Sequence, residues 1–348
     1  MVKRVLIVSD EYYPKLGGAG VVAKTYKELL SNNGYDVEII TGSGKDHHRS
    51  FNKIRLFWPI QYFIMFFQVD LKKYDIVILN DGPAQYAASI YFDDVTYSKT
   101  ITMIHGLERN FIDGGLINKL FGFKKQIHLN YLKSKRVVAV SDYIKSVVES
   151  ELSNRRSFEI DVLHSPVTLK KEEGTKRKCK SLLTVGRVTE KKGHAMVYRI
   201  FKKLLEVDDD WTWTIVGDGD YLSELVGAVQ NDRLENKVKF LGSIPTSELA
   251  RVYSSHQVFI LLSEFKEAYG LVYVEAAECG CITIGYNNCG PKETIRYSKN
   301  IHLADSGLSI EDYADFIVRK SSLNTNEKQN LNKVMSKKVL DYVDKFKR

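Results

Sequence analysis

The sequence predicts an α/β protein built on parallel sheets, and three observations carry that prediction. Short apolar runs of four or five residues recur along the chain, and such runs suit the buried strands of a parallel sheet. Loop residues and then a helical pattern follow these runs, which is the order of parallel β-α-β units. With 348 residues the chain has the length of about two ordinary domains, each able to bury its own core.

The apolar runs place strands in both halves of the chain. Strands are predicted over residues 4–8, 37–40, 76–79, 100–104 and 137–140, and then over 181–185, 213–216, 238–241, 258–262 and 282–285. The chain turns polar and charged between the two sets. We therefore predict a first domain over residues 1–168, a linker over 169–180, a second domain over 181–324 and a C-terminal helical segment over 325–348.

A glycine-rich loop, Gly17-Gly18-Ala19-Gly20, separates the first strand from a helix predicted over residues 21–30. Free backbone N–H groups and the helix dipole make such a helix start suitable for an anion. An ordinary tight turn would use the same residues, and both interpretations stay open. In the same half, His105 follows a predicted strand directly, at the edge of the sheet where functional groups of parallel sheets gather.

The most informative stretch runs from Ser263 to Gly280 and contains two acids, Glu267 and Glu275, eight positions apart. A helix predicted from Leu271 would leave the N–H groups of Gly270, Leu271 and Val272 free for a phosphate. The Glu275 carboxylate, about one turn later, could accept hydrogen bonds from two ribose hydroxyls. Glu267 could face whatever lies beyond the phosphates, although chance and a solvated helix face also produce this spacing.

Two cations, Arg187 and Lys192, occur in the loop that follows the strand at residues 181–185. The planar fork of arginine and the compact charge of lysine suit the oxygens of a diphosphate. Two cations in a loop are, however, more often only solvated.

Taken together, these motifs resemble the family 4 retaining glycosyltransferases of the GT-B fold, which use nucleotide-activated sugars. The matching positions are Glu267, Tyr269-Gly270-Leu271-Val272, Glu275-Ala276 and Gly280, together with Gly17-Gly18, His105-Gly106, Gly186-Arg187 and Lys192-Gly193. The sequence departs from the family at Leu262, where proline is common, and at Cys289, which replaces a common glycine. The resemblance implies two Rossmann-like domains that face an interdomain cleft, with the C-terminal helix returning to the first domain.

The resemblance also implies a role for each matching residue. Arg187 and Lys192 would clamp the donor diphosphate, with Gly17 and Gly18 against it, and Ser243 and Ile244 would lie near the base. Glu275 would bind the ribose, and Glu267 and His105 the donor sugar. We expect His105, Glu267, Arg187 and Lys192 to be the catalytic set.

The expected reaction is retaining transfer from a nucleotide sugar, with a UDP-hexose or UDP-N-acetylhexosamine favoured, to a glycan or a polyprenyl-linked or lipid-linked acceptor. Bacterial surface polysaccharide synthesis, such as O-antigen, capsule or lipopolysaccharide, is the expected setting. No cofactor and no metal are expected, because Asp208-Asp209-Asp210 precedes a strand and is typical of a solvated turn. The net charge of +8 is modest and does not indicate nucleic acid.

Two segments raise the possibility of a membrane surface. Residues 51–68 are rich in aromatic side chains but too short and interrupted to span a bilayer, and they favour a core helix over an interfacial element. Residues 116–136 mix large apolar side chains with lysines and contain no acid, which suits either an anionic inner-membrane face or a solvated helix. The absence of a signal peptide and the four unpaired-looking cysteines, expected as small buried residues, favour the cytoplasm.

Two other function classes remain open. A GT-B relative could act as a catalytically silent, nucleotide-sugar-binding or regulatory subunit, although Arg187, Lys192, Glu267 and Glu275 are all in place. The glycine-rich loops alone would also suit a dehydrogenase, but a strict G-x-G-x-x-G does not follow the first strand.

Overall fold

A computed structural model describes residues 3–12, 17–42, 62, 64, 66–106, 122–152, 158–322 and 331–346. The chain divides into two compact units. The first comprises Met1–Pro166 with Met335–Arg348, and the second comprises Val167–Val334.

The first unit contains a sheet of six strands in the order β2-β1-β3-β4-β5-β6, and every neighbouring pair is parallel. The strands are β1 (Arg4–Ser9), β2 (Asp36–Thr41), β3 (Ile76–Leu79), β4 (Thr100–Ile104), β5 (Arg136–Ala139) and β6 (Ile160–Val162). The helices are α1 (Gly18–Ser31), α2 (Gly82–Tyr91), α3 (Asp94–Tyr97), α4 (Phe123–Lys133) and α5 (Asp142–Leu152), with a 3-10 turn at Leu71–Lys73. The helical residues Tyr62 and Phe66 are also buried in the core of this unit.

The second unit repeats this architecture with the strand order β12-β11-β10-β7-β8-β9, again all parallel. The strands are β7 (Lys178–Val185), β8 (Thr212–Val216), β9 (Val238–Phe240), β10 (His256–Leu261), β11 (Ile282–Tyr286) and β12 (Ile301–Ala304). The helices are α6 (His194–Val207), α7 (Leu222–Asn231), α8 (Thr246–Ser255), α9 (Leu271–Glu278), α10 (Pro291–Thr294) and α11 (Ile310–Ser321), with a 3-10 turn at Glu190–Lys192.

The central strands are apolar on both faces, as a parallel sheet covered by helices requires. In β1, Val5, Leu6, Ile7 and Val8 are all 0% exposed. The helices present matching stripes: in α6 the buried residues include Phe201, whose ring centroid lies 5.9 Å from that of the buried Trp213 on β8. Burial of such stripes stabilises each unit by about 25 cal/mol per Å² of apolar surface removed from water.

The last helix, α12 (Leu331–Lys345), crosses the division between the units, and its second part belongs to the first unit. Met335, Val339 and Val343 are buried at a spacing of four residues, which is one face of a helix. Tyr342 donates a hydrogen bond to Asp161 of β6 at 2.5 Å. These contacts place the end of the chain against the N-terminal part of the sequence.

The structure confirms the parallel α/β class, and the predicted strands agree with the observed ones to within three residues at each end. The predicted linker is wrong at one end, because β7 begins at Lys178 and takes in residues that were assigned to the linker. The sequence reading also missed β6 and β12, the strands at one edge of each sheet. Cys279 and Cys281 are buried as expected, but Cys179 is exposed because it lies at the solvated start of β7.

The segments singled out for a membrane are only partly described. Most of residues 51–68 and all of residues 116–121 lie outside the described residues. Phe123 of α4 is buried and packs on Tyr86 of α2 with ring centroids 4.3 Å apart, so its apolar side faces the core. Within the described ranges, no helix combines the length and the apolar character needed to cross a bilayer.

At Gly217, directly after β8, the backbone lies very close to that of the loop after β7. The Gly217 φ of +134° is unfavourable for other residues. A Cβ there would lie 1.9 Å from the carbonyl oxygen of Gly186, the residue that follows β7. The loops after β7 and β8 can therefore approach each other this closely only because residue 217 is glycine.

We expect Gly217→Ala to lower the free energy of unfolding by about 1–3 kcal/mol, because the new methyl group must displace the backbone of the neighbouring loop. Gly227→Ala is the matched control, since no atom lies within 4 Å of its Cβ position in helix α7. That control should be neutral or stabilising by up to about 1 kcal/mol. Urea unfolding followed by circular dichroism measures both, and equal midpoints for the two variants would contradict the steric argument.

Candidate functional site

The candidate site of the second unit forms where β7 and β10 lie side by side and end at the same edge of the sheet. The loop after β7 leads to the 3-10 turn at Glu190–Lys192, and the loop after β10 carries residues 262–270. The backbone N–H groups of Glu264 and Phe265 both donate to the Lys191 carbonyl, at 2.9 and 3.3 Å. The two loops are therefore joined through their backbones.

The structure brings two of the predicted site residues, Lys192 and Glu267, into direct contact. Lys192 Nζ lies 2.5 Å from Glu267 Oε1, and each side chain is 16% exposed. Ser263 Oγ donates to the same carboxylate oxygen at 2.9 Å. Lys192 Nζ also lies 5.9 Å from the centre of the exposed Phe265 ring. The pair is thus positioned by two loops and by the side chains of Ser263 and Phe265, while part of each partner remains accessible.

Helix α9 begins immediately after this pair, as the sequence predicted. Its N-cap is Gly270, with φ of +88°, so no side chain satisfies the first N–H groups of the helix. Leu271 and Val272, the first two helical residues, are partly exposed. The start of the helix is anchored from one side, where Gly290 donates its N–H to the Glu267 carbonyl at 3.1 Å. A helix N terminus of this kind favours an anion.

Glu275 lies one turn into α9 and is buried, with only 7% of its surface exposed. Tyr253 of α8, itself 0% exposed, donates its hydroxyl to Glu275 Oε2 at 3.2 Å. Burial raises the pKa of Glu275 from its ordinary value of 4.5 to about 7, an effect that the Tyr253 hydrogen bond partly opposes. Glu275 is therefore partly protonated near neutral pH, which differs from the solvated carboxylate that its spacing from Glu267 would also allow.

The remaining predicted residues of this unit lie in loops at neighbouring strand ends. Arg187 is exposed in the loop after β7, and the described part of the chain offers it no ion pair. Ser243 is exposed and Ile244 half-buried in the loop after β9, where Gly242 accepts a hydrogen bond from Gly217 N at 2.8 Å. The structure records no contact that joins these three described residues to the Lys192–Glu267 pair.

In the first unit, the predicted glycines stand at the start of α1. Gly17 is the N-cap, and Val21 donates its N–H to the Gly17 carbonyl at 3.1 Å. A Cβ on Gly17 would lie 2.2 Å from the Glu11 carboxylate, whereas the space beside Gly18 is open. An anion at Gly17 would therefore meet a negative group, and Gly18 is the more accessible of the two.

His105 follows β4 directly, as predicted, and its ring is held by a residue that the sequence reading missed. His105 Nε2 lies 2.9 Å from Asn80 Oδ1. Burial lowers the pKa of His105 from 6.5 to about 4, so the ring is neutral at neutral pH. Ser141, after β5, proves to cap helix α5, because its hydroxyl accepts a hydrogen bond from Ile144 N at 3.1 Å.

Three residues that contact the predicted site residues were not found from the sequence. Asn80 comes directly after β3 and Ser263 shortly after β10, and position at a strand end is the signal that could have identified them. Tyr253 lies within helix α8, and its contact with Glu275 is between different helices. A local sequence pattern cannot predict a contact between residues of different helices.

Comparison with known proteins bears on both units. A family model described as glycosyl transferases group 1 matches residues 168–337. Phosphatidylinositol N-acetylglucosaminyltransferase GPI3 subunit of Saccharomyces cerevisiae is 23% identical to the chain, and the alignment covers 99% of the chain and 81% of that protein. N-acetyl-alpha-D-glucosaminyl L-malate synthase of Bacillus anthracis is 25% identical, with 90% and 88% covered.

A solved structure gives the fold. Anabaena Alr3699/HepE in complex with UDP and glucose aligns with a TM-score of 0.70 and 17% identity, and the alignment covers 99% of this chain and 100% of that one. The likeness, together with the two parallel six-stranded sheets, establishes the GT-B fold that the resemblance implied. Residues 168–337 of this chain, just under half of its length, are therefore similar to the glycosyl transferases group 1 family.

Proposed function

We propose that this glycosyltransferase transfers a hexose or N-acetylhexosamine from a UDP-sugar to a glycan or lipid-linked acceptor, with retention at the sugar and without a metal. The observation that carries the proposal is the Lys192–Glu267 pair beside the uncapped start of α9. That arrangement provides positive charge and free N–H groups for a diphosphate, next to a carboxylate for sugar hydroxyls.

The donor diphosphate would bind at the start of α9, with Lys192 and the exposed Arg187 as the clamp. Lys192 already contacts the Glu267 carboxylate, so a phosphate oxygen would share or replace that partner. The positive charge would stabilise the negative charge that develops on the leaving diphosphate, the task that a metal performs in other enzymes. The leaving phosphate would itself take the proton of the acceptor hydroxyl.

The nucleoside part of the donor would lie at Glu275, with the base near Ser243 and Ile244. One Glu275 oxygen accepts from Tyr253, and carboxylate lone pairs remain for the ribose hydroxyls. UDP as the nucleotide is supported by the HepE complex, which contains UDP and glucose. Both curated relatives carry N-acetylglucosaminyl in their names, which supports an N-acetylhexosamine as the sugar.

Within the second unit, Glu267 would contact the donor sugar. Glu267 is oriented by Lys192 and Ser263 and so is prepared to accept hydrogen bonds from sugar hydroxyls. His105, neutral at the pH of the reaction, would bind a sugar hydroxyl without adding charge.

The acceptor is the part of the reaction in which the relatives differ. The yeast relative is named for a phosphatidylinositol acceptor and the Bacillus anthracis relative for L-malate, so relatives of similar identity differ in acceptor. We favour a polyprenyl-linked or lipid-linked acceptor in bacterial surface polysaccharide synthesis. The yeast relative is also named as a subunit, which keeps a regulatory role as the second candidate. Hydrolysis of a UDP-sugar by the purified chain would exclude a silent subunit.

We expect Lys192→Ala to weaken UDP binding by about 10- to 150-fold, because it removes charge-assisted hydrogen bonds worth about 1.5–3 kcal/mol. Glu267→Gln is the matched control at the other end of the same ion pair. It should bind UDP at least as tightly as the wild type, since Lys192 loses its competing partner, but turn over the UDP-sugar more slowly. Calorimetric titration with UDP measures both, and unchanged affinity in Lys192→Ala would refute the clamp.

We expect UDP binding at pH 7 to release protons from Glu275, because the ribose hydroxyls donate to the charged carboxylate and the group is partly protonated beforehand. Calorimetry in two buffers of different ionisation enthalpy measures the release. Glu275→Gln should release fewer protons than the wild type, and the difference between the two proteins removes the contribution of the phosphate itself. Equal proton release by the two proteins would contradict ribose binding at Glu275.

The same pKa shift predicts that the free energy of unfolding depends on pH. Burial raises the pKa of Glu275 from 4.5 to about 7. The contribution of the protonated side chain to the free energy of unfolding is therefore fully present below pH 4.5 and is lost as the pH rises through 7. Without UDP, the wild type should lose stability relative to Glu275→Gln across that interval.

An anionic membrane surface is the partner that the lysines of α4 would meet. Lys124 and Lys125 are exposed, while Phe123 beside them is buried in the core. Attachment through this helix would therefore rest on charge, at about 1 kcal/mol for each lysine, and would weaken as salt rises.

We expect the Lys124→Glu/Lys125→Glu variant to sediment less with anionic liposomes than the wild type at low salt. Lys170→Glu/Lys171→Glu changes the same charge at an exposed lysine pair of the second unit and is the matched control. Equal sedimentation of the two variants would show that α4 is not the attachment site.

A further inference from the structure

We propose that Asn80 is a positioning residue that holds His105 in the tautomer with a proton on Nε2, so that Nδ1 is the acceptor for a hydroxyl of the substrate. The inference rests on the proposed function, because it gives the chemical state in which His105 would meet the sugar. It adds a residue that neither the motifs nor the spacing of the sequence indicated.

Topology brings the two side chains together. β3 and β4 are parallel neighbours in register, with Leu79 opposite Thr102. Asn80 is the first residue after β3 and His105 the first after β4, so both leave the same edge of the sheet. Asn80 is 1% exposed, and its side-chain oxygen lies 2.9 Å from His105 Nε2.

The orientation of the Asn80 amide follows from its other contacts. Asn80 Nδ2 lies 2.9 Å from the Ala19 carbonyl oxygen, which can only accept a hydrogen bond. The same nitrogen lies 2.9 Å from Ser9 Oγ. The NH₂ group therefore points to β1 and the start of α1, and the carbonyl oxygen points to His105.

The amide orientation in turn fixes the histidine tautomer. An amide oxygen accepts hydrogen bonds and cannot donate, so His105 Nε2 must carry the proton. The ring is neutral at neutral pH because burial lowers its pKa to about 4, and Nδ1 then keeps its lone pair. Within the described residues Nδ1 has no hydrogen-bond partner. Asp81, Gln85 and Tyr131 line the same small cavity as His105 and are the polar groups around it.

The backbone on both sides holds Asn80 rigidly. Asn80 donates its own N–H to the Val8 carbonyl at 2.9 Å. The next residue, Asp81, accepts hydrogen bonds from Ser9 Oγ and Glu11 N with one oxygen, and caps helix α2 by accepting from Ala84 N with the other. The Asn80 amide is therefore fixed by β1 and α1, and the neighbouring Asp81 is fixed by β1 and α2.

Two substitutions separate the acceptor role of Asn80 from its donor role. Asn80→Ala removes both, whereas Asn80→Asp keeps an oxygen that accepts from Nε2–H and loses the donors to Ser9 and Ala19. The tautomer of His105 is read from the ¹⁵N shifts of the imidazole ring by long-range ¹H–¹⁵N correlation NMR at pH 8, without substrate. Turnover of the UDP-sugar and affinity for UDP are measured on the same proteins.

We expect the Nε2–H tautomer in the wild type and in Asn80→Asp, and a mixture of tautomers in Asn80→Ala. Turnover by Asn80→Ala should fall about 10- to 100-fold, the usual cost of removing the partner that orients a functional histidine, with UDP affinity unchanged. Asn80→Asp should recover part of the loss. Thermal unfolding followed by circular dichroism reports whether each variant is folded, since UDP is proposed to bind in the second unit and Asn80 lies in the first. Asn80→Asp carries the test if the alanine variant does not fold.

Three outcomes would overturn the inference, and a fourth concerns the proposed function. An Nδ1–H tautomer in the wild type, or an unchanged Nε2–H tautomer in Asn80→Ala, would refute the role of Asn80. Loss of the tautomer in Asn80→Asp as well would assign Asn80 to the anchoring of Ser9 and Ala19 alone and would also refute it. A tautomer change with full turnover would leave Asn80 as the partner of His105 but remove His105 from the proposed reaction.

Discussion

The candidate site depends on one backbone interaction, the pair of hydrogen bonds that the Lys191 carbonyl accepts from Glu264 and Phe265. Because β7 and β10 are parallel neighbours, the loops that follow them start side by side. The close approach also needs Gly193, whose Cβ would lie 2.0 Å from the Leu262 carbonyl oxygen. Because the backbones of the two loops are joined, the side chains of Lys192 and Glu267 lie next to each other. The ion pair is therefore a consequence of sheet topology and one glycine.

The partial burial of the Lys192–Glu267 pair is consistent with a binding role. A lysine and a glutamate that are each 16% exposed have lost much of their hydration, and their attraction compensates that loss only in part. Beside them, the start of α9 offers N–H groups that a glycine cap leaves unsatisfied. An anionic ligand that also carries hydroxyl groups could bind the lysine, the glutamate and the free N–H groups of α9 together. A sugar nucleotide carries both the negative charge and the hydroxyl groups.

Much of the fold and part of the site could be predicted from the sequence. Continuous apolar runs such as residues 76–79 and 100–104 predicted β3 and β4 to the residue, because central parallel strands are apolar on both faces. The short strands β6 and β12 at the sheet edges give no such run. The stretch around Glu267 identified the site because its spacing is local, whereas Asn80 and Tyr253 act through contacts between distant segments. Phe123 is another residue whose contact depends on a distant segment. Lysines follow it in the sequence, but in the fold its ring packs against Tyr86.

The two glutamates show how environment divides the work of one side-chain type. Glu267 has a lysine ammonium group and a serine hydroxyl on one carboxylate oxygen. Glu275 has one tyrosine hydroxyl in an otherwise buried position, and burial brings its pKa to about 7. Two ribose hydroxyls would supply the hydrogen bonds that the buried carboxylate lacks, and so would favour its charged form. Glu275 thus gains most from a ligand that donates hydrogen bonds, which is the property expected of a nucleoside-binding carboxylate.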